Sequence, residues 1–339
     1  MMERKRYDSI QALRALAALC VILCHIEGSV GGQFGVDIFM CITGFMIAYT
    51  TDGSACAGEF LRHRAVRILP LYYAVTVLTY ISALAMPSLF WTTVATAPNL
   101  LKSFFFLPYE SRGGHILPVF PIGWTINYEM GFYILAAAAM KWFPKRKTWF
   151  MQASLLALVL AGEVFRPQNA ALKFWTSEIL LEFCFGMFVF ESFKRFGKEA
   201  GRKKISGGGG FLVPILFFWM FLADFHNLDL PRSVKWGIPA AALLSICVFW
   251  FGGNSMFEKK PLCFFVKIGD ASYSLYLTHY FVVKVLERVF HMGSGNFFGK
   301  AAVCFLGSLL VAFFVYEMAE KRIAGFYKAH KQIGGVFGR

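Results

Sequence analysis

Charge is what this chain has least of. Charged residues make up 16% of its 339 positions, against about 25% in soluble domains. Acidic side chains are the scarcest: 20 Asp and Glu against 34 Lys and Arg, a formal net charge of +14. A chain this poor in charge, 57% hydrophobic and with mean hydropathy +0.55, does not read as a soluble globular domain. Its length counts membrane spans instead. The cation excess then belongs to loops that face anionic lipid, not to a nucleic-acid surface. Other absences narrow the chemistry. Neither G-x-S-x-G nor H-E-x-x-H occurs, so the serine-hydrolase and zinc-hydrolase patterns are missing. The run Gly207 to Gly210 lacks the Lys-Ser/Thr ending of a phosphate loop and reads as a flexible linker. The eight cysteines lie mostly in apolar runs and read as small buried hydrophobes, not as a disulfide framework. Cys20, Cys24 and His25 have the spacing of neither a haem attachment nor a zinc site. No metal and no permanently bound cofactor is expected. The first apolar run has no small-residue cleavage site and carries Arg14 within it, so it reads as a span and not a signal peptide.

What the chain does have is apolar runs of membrane length. Ten are expected, near 8–27, 34–51, 66–86, 121–141, 148–165, 173–193, 211–224, 236–252, 270–290 and 299–320. The expected fold is therefore all-α, a polytopic integral membrane protein of about ten transmembrane helices in the plasma or inner membrane. With the N-terminus inside, the inner segments hold 24 Lys and Arg and the outer ones 8. That asymmetry supports N-in, C-in topology. Residues 1–325 then form one transmembrane domain and 326–339 a cytoplasmic tail. The stretch Leu100 to Pro108 is too short to cross and reads as re-entrant or interfacial.

Topology sorts the polar residues by depth. Arg14 and His25 share one face of the first span, eleven residues and about 16 Å apart. Each is either a helix-end residue snorkelling to its own surface or part of a site. His25 falls near the outer end, at the height expected for Asp37 and Glu129. An imidazole beside a carboxylate suits a general base, although a helix N-terminus alone would account for Asp37. At the inner side Arg62, Arg64 and Arg67 precede the third span. They are an ordinary inside-positive flank or a phosphate grip, with Arg64 and Arg67 on one helix face and Arg14 near them. His279 falls near mid-membrane in the ninth span, as a cross-helix hydrogen-bonding group or a functional one. Tyr276 belongs to a tyrosine stripe that is packing or chemistry. Arginines inside, a histidine outside and a polar column between them point to a polyanionic donor entering from the cytosol.

Five stretches occur in order: Arg14-x10-His25; Gly35-Val36-Asp37 to Thr43-Gly44-Phe45; Arg67-Ile68-Leu69-Pro70-Leu71-Tyr72; Trp124-Thr125-Ile126-Asn127-Tyr128-Glu129; and Ser272-Tyr273-Ser274-Leu275-Tyr276-Leu277-Thr278-His279. Together they resemble acyltransferase family 3, the integral-membrane carbohydrate O-acyltransferases of bacteria, and most closely the exopolysaccharide-acetylating branch. The resemblance implies an acyl-CoA donor, usually acetyl-CoA, and transfer to a sugar hydroxyl of a polysaccharide or lipid-linked oligosaccharide. By motif position it makes His25 the catalytic histidine, Arg14 its partner and Glu129 a site carboxylate. It makes Arg64 and Arg67 donor-side arginines, and it brings Trp124 and Asn127 into the motif. The chain departs from the pattern at Cys41-Ile42-Thr43-Gly44, where Val/Leu-Ser-Gly is usual. A transporter of polyprenyl-linked sugars, or a non-catalytic subunit of polysaccharide assembly machinery, would share the spans and the buried charges.

Overall fold

A computed structural model of the chain describes residues 6–29, 31–53, 56–200, 208–252, 254–289 and 297–336. Arg4, Lys5, Arg202, Lys203, Lys204, Gly207 and Arg339, which entered the loop and linker readings, lie outside these residues. Among the described residues the protein is all-helical, with one isolated bridge between Glu110 and Ile116 and no strand. Fourteen α-helices run in chain order among these residues. They are α1 (Asp8–His25), α2 (Gly35–Thr51), α3 (Ala57–Ala85), α4 (Ala97–Phe104), α5 (Trp124–Trp142), α6 (Lys147–Phe165) and α7 (Ala170–Trp175). Then come α8 (Leu180–Ala200), α9 (Leu212–Phe225), α10 (Ile238–Phe249), α11 (Leu262–Asp270), α12 (Ser272–Val289), α13 (Phe297–Val315) and α14 (Lys321–Val336).

Among the described residues, four helical segments are long and apolar enough to cross a membrane: Asp8–His25, Ala57–Ala85, Lys147–Phe165 and Phe297–Tyr327. Lipid-facing character shows on their surfaces, where Trp149, Val164, Phe165 and Phe298 are exposed. Three more apolar helices are shorter, Gly35–Thr51, Leu212–Phe225 and Ser233–Phe249. The sixth expected span is not continuous. α7 ends at Trp175 and α8 begins at Leu180, and in the turn between them Glu178 accepts from the backbone N–H groups of Arg232 (3.1 Å) and Ser233 (2.8 Å). α11 is an element the hydropathy runs did not separate. Of the stretch 100–108, residues 100–104 end α4 and 105–108 turn away from it; α4 docks on α3 where Tyr72 and Tyr73 donate to the carbonyls of Ser103 and Phe104.

α1 is the central helix. Ala15, Ala17, Ala18 and Ile22 are at most 1% exposed, and α2, α10, α11 and α12 all pack on it. Its small residues let neighbours approach closely, the usual device where lipid removes the hydrophobic drive between helices. α2 and α8 use two glycines for the same purpose. A side chain at Gly44 would run into the backbone of Phe183, and one at Gly186 into the backbone of Cys41. That close approach sets the rotation of α2, and so decides which of its side chains face inward.

Candidate functional site

α1, α2, α3, α5 and α12 enclose a cavity of about 90 Å³, room for several waters. Arg14, Arg64 and Arg67 line it together with Thr43, Glu129, Tyr133, Ser272, Tyr273 and Tyr276. Three guanidiniums from two distant segments thus share one cavity with a carboxylate. α3 starts at Ala57, so the arginine run is helical and Arg64 and Arg67 share a face. Arg14 is held by α12: its Nε and Nη2 both donate to Ser272 Oγ, at 3.1 and 2.9 Å. Arg64 donates to Thr50 Oγ1 at 3.2 Å and lies over the rings of Phe60 and Tyr133. Tyr273 ties α12 to α3 by donating to the Ile68 carbonyl at 2.8 Å. Arg62 is not a cavity residue. It is exposed, with its guanidinium 5.2 Å from the centre of the Tyr327 ring.

The carboxylates fall differently from the depth reading. Glu129 sits with the arginines and not with His25. Its Oε1 accepts from Thr43 Oγ1 at 2.9 Å and its Oε2 from Tyr133 OH at 3.3 Å. Asp37 is fully buried and turned away from the cavity. Arg232 grips it with two bonds, Nε to Oδ1 at 2.8 Å and Nη2 to Oδ2 at 2.9 Å. Burial works against the Arg232 charge, but Asp37 and Glu182 more than offset it and hold the guanidinium above its ordinary pKa. Neither carboxylate orients the imidazole of His25, so that expectation is corrected. Nδ1 of His25 lies 2.7 Å from the carbonyl of Val21, one turn back on the same helix. A carbonyl only accepts, so Nδ1 carries the proton and Nε2 presents its lone pair.

His25 has an unexpected neighbour. The His279 ring stands edge-on to it, with centroids 5.1 Å apart. His279 is fully buried, its Nδ1 bonds the Leu275 carbonyl at 3.0 Å, and its Nε2 has no partner. Tyr276 touches His279 at 5.9 Å and lines the arginine cavity. Its hydroxyl is 2.7 Å from Thr125 Oγ1. Cavity, Tyr276, His279 and His25 therefore follow one another in contact. From the Trp124–Glu129 motif, Thr125, Ile126 and Glu129 reach the cavity while Trp124 and Asn127 do not. Trp124 packs edge-on against Tyr128, and Asn127 is buried with an unpartnered Oδ1. Thr43, Tyr133 and Ser272 escaped the residue-by-residue reading. Tyr133 had a signal, since it stands four positions after Glu129 on the same helix face.

Residues 7–317 match the family model of an acyltransferase domain. The exopolysaccharide production protein ExoZ of Rhizobium meliloti (strain 1021) is 32% identical over 313 residues, 91% of this chain and 94% of its own. The acyltransferase MdmB of Streptomyces mycarofaciens is 27% identical, over 84% of this chain and 81% of its own. The peptidoglycan O-acetyltransferase OatA of Listeria monocytogenes is 24% identical over 97% of this chain but 58% of its own length. The chain thus spans little more than half of that relative. No solved structure matches it. With its ordered motifs gathered around one arginine-lined cavity and a family match from Tyr7 to Glu317, the chain belongs to acyltransferase family 3.

Proposed function

We propose that this protein is a multi-pass membrane O-acetyltransferase of the exopolysaccharide type, with about ten spans and both termini in the cytosol. Its donor is acetyl-CoA. Its acceptor is a hydroxyl of a cell-surface or lipid-linked polysaccharide. One observation carries the reading: Arg14, Arg64 and Arg67 line a single cavity, and Tyr276 on its wall touches His279, which in turn touches His25. Guanidiniums grip phosphates in fork geometry, which suits the pyrophosphate of the donor. Its acyl arm then extends along the column toward His25.

In this mechanism Nε2 of His25 takes the proton of the acceptor hydroxyl as the oxygen attacks the thioester carbonyl. The new C–O bond forms, the C–S bond breaks, and the thiolate leaves and recovers that proton. The Nδ1 bond to Val21 keeps the ring in the tautomer this step needs. Glu129 restrains the arginines across the cavity. The test is acceptor-dependent CoA release by the purified protein in detergent with acetyl-CoA and an oligosaccharide. His25→Ala should cut it by about 10²–10⁴-fold, the usual worth of a general base, with an unchanged melting temperature. Full activity in that variant would end the assignment. Polyprenyl-linked sugar crossing the bilayer without any CoA release would favour a transporter. A labelled acetyl group trapped on His25 in the absence of acceptor would make the histidine an acyl carrier instead of a base.

A further inference from the structure

A second concavity, of about 280 Å³, lies beside the arginine cavity and shares Arg67 with it. One wall is apolar, from Val66, Leu71, Ile323 and Ala324. Tyr327 of α14 supplies an aromatic face, half-buried in the groove. His63 stands edge-on to that ring at 5.2 Å, and the Arg62 guanidinium lies over one of its faces, 5.2 Å from its centre, so a base would stack on the opposite face or take the place of Arg62. Glu320 and Asp270 place carboxylates in the same lining. Each already accepts one bond, Glu320 from Ser274 at 2.6 Å and Asp270 from Arg6 at 3.0 Å. A carboxylate has about four lone-pair positions, so both retain acceptor capacity.

This combination selects among ligands. A fatty chain would fill the apolar wall and leave the carboxylates and guanidinium without use. Inorganic phosphate would meet Arg67 but gain nothing from the ring. A flat heteroaromatic base that carries an amino group and is tethered to a phosphate uses all three features. It stacks on the ring, donates to a carboxylate and keeps its phosphate beside Arg67. We propose that the groove under Tyr327 holds the adenine of the donor, with Arg67 at the phosphates between the base and the acyl arm. This assignment rests on the acyl-CoA reading above and extends the donor site to α14, beyond the residues matched to the family at 7–317.

The test compares two donors, acetyl-CoA and S-acetyl-4′-phosphopantetheine, which lacks the nucleotide. The variants are Tyr327→Ala and Tyr327→Phe, purified in detergent and checked by thermal melting. Base stacking on an aromatic side chain is worth enough that Tyr327→Ala should raise the acetyl-CoA KM about tenfold. Its kcat, and the KM of the truncated donor, should stay as in the wild type. Tyr327→Phe keeps the aromatic face and should behave as wild type. An equal rise in KM for both donors, or for neither, overturns the adenine site while leaving the donor reading intact. If wild-type protein transfers acetyl from neither donor, the donor reading falls and this inference falls with it.

Discussion

Asp37 and Glu129 are both carboxylates inside a helical membrane domain, and they are held in opposite ways. Asp37 is fully buried and clamped by the two nitrogens of Arg232. Glu129 is half-buried, bonded to two neutral hydroxyls, and faces three arginines across a cavity. A buried ion pair repays its desolvation only while both partners are present. Hydroxyl bonds are worth about 1 kcal/mol each and exchange readily. Asp37 is therefore a fastening between α2 and the turn that precedes α10. Glu129 is held by the weaker, more exchangeable bonds. The kind of partner, more than depth, separates the two carboxylates.

The largest expected effect tests the fastening. Asp37→Ala leaves a half-buried guanidinium without its bidentate partner, which should cost about 3 kcal/mol, the low end for a buried pair. The yield of folded protein in membranes and its melting temperature should both fall. Arg232→Ala should do the same, while a paired replacement of Asp37 and Arg232 by leucine should recover much of the loss. Normal stability in either single variant would remove the distinction drawn between the two carboxylates. Next comes Glu129→Gln. Its amide oxygen still accepts from Thr43, so melting should be unchanged, but the negative charge facing the arginines is gone. Acetyl transfer should drop about a hundredfold, and wild-type rates would show that Glu129 is only packing. The smallest effect is expected from Thr43→Val, which removes one hydroxyl bond of about 1 kcal/mol at nearly constant shape. Turnover should fall about fivefold with stability retained, and a loss as large as that of Glu129→Gln would mean Thr43 itself meets the substrate.

Much of the arginine end was legible in the chain. Helical spacing put Arg64 and Arg67 on one face, and the eleven-residue interval put Arg14 on the face of α1 that carries His25. The structure gathers all three arginines at one cavity. The histidine end was less legible. Equal depth for His25, Asp37 and Glu129 was inferred from position along each helix, but height does not specify rotation. α2 is turned by the close approach of Gly44 and Gly186 to the backbone of α8 and α2, so Asp37 points at Arg232. Nothing in the sequence around Arg232 marks it as the partner of Asp37. His279 read as either a packing or a functional residue, and its contact with His25 needed α1 and α12 side by side.

Sequence alone determined that this is a helical membrane protein of acyltransferase family 3, and which side chains carry charge within its apolar runs. Those properties are local: hydropathy, helical period and ordered motifs each act within one segment. Only the tertiary structure decided who meets whom. Arg14 finds Ser272 across 258 residues, Asp37 finds Arg232 across 195, and Thr43 finds Glu129 across 86. Such pairings depend on how each helix is rotated in the bundle. Rotation follows from where small residues let backbones touch, a property of two surfaces at once and of neither segment by itself.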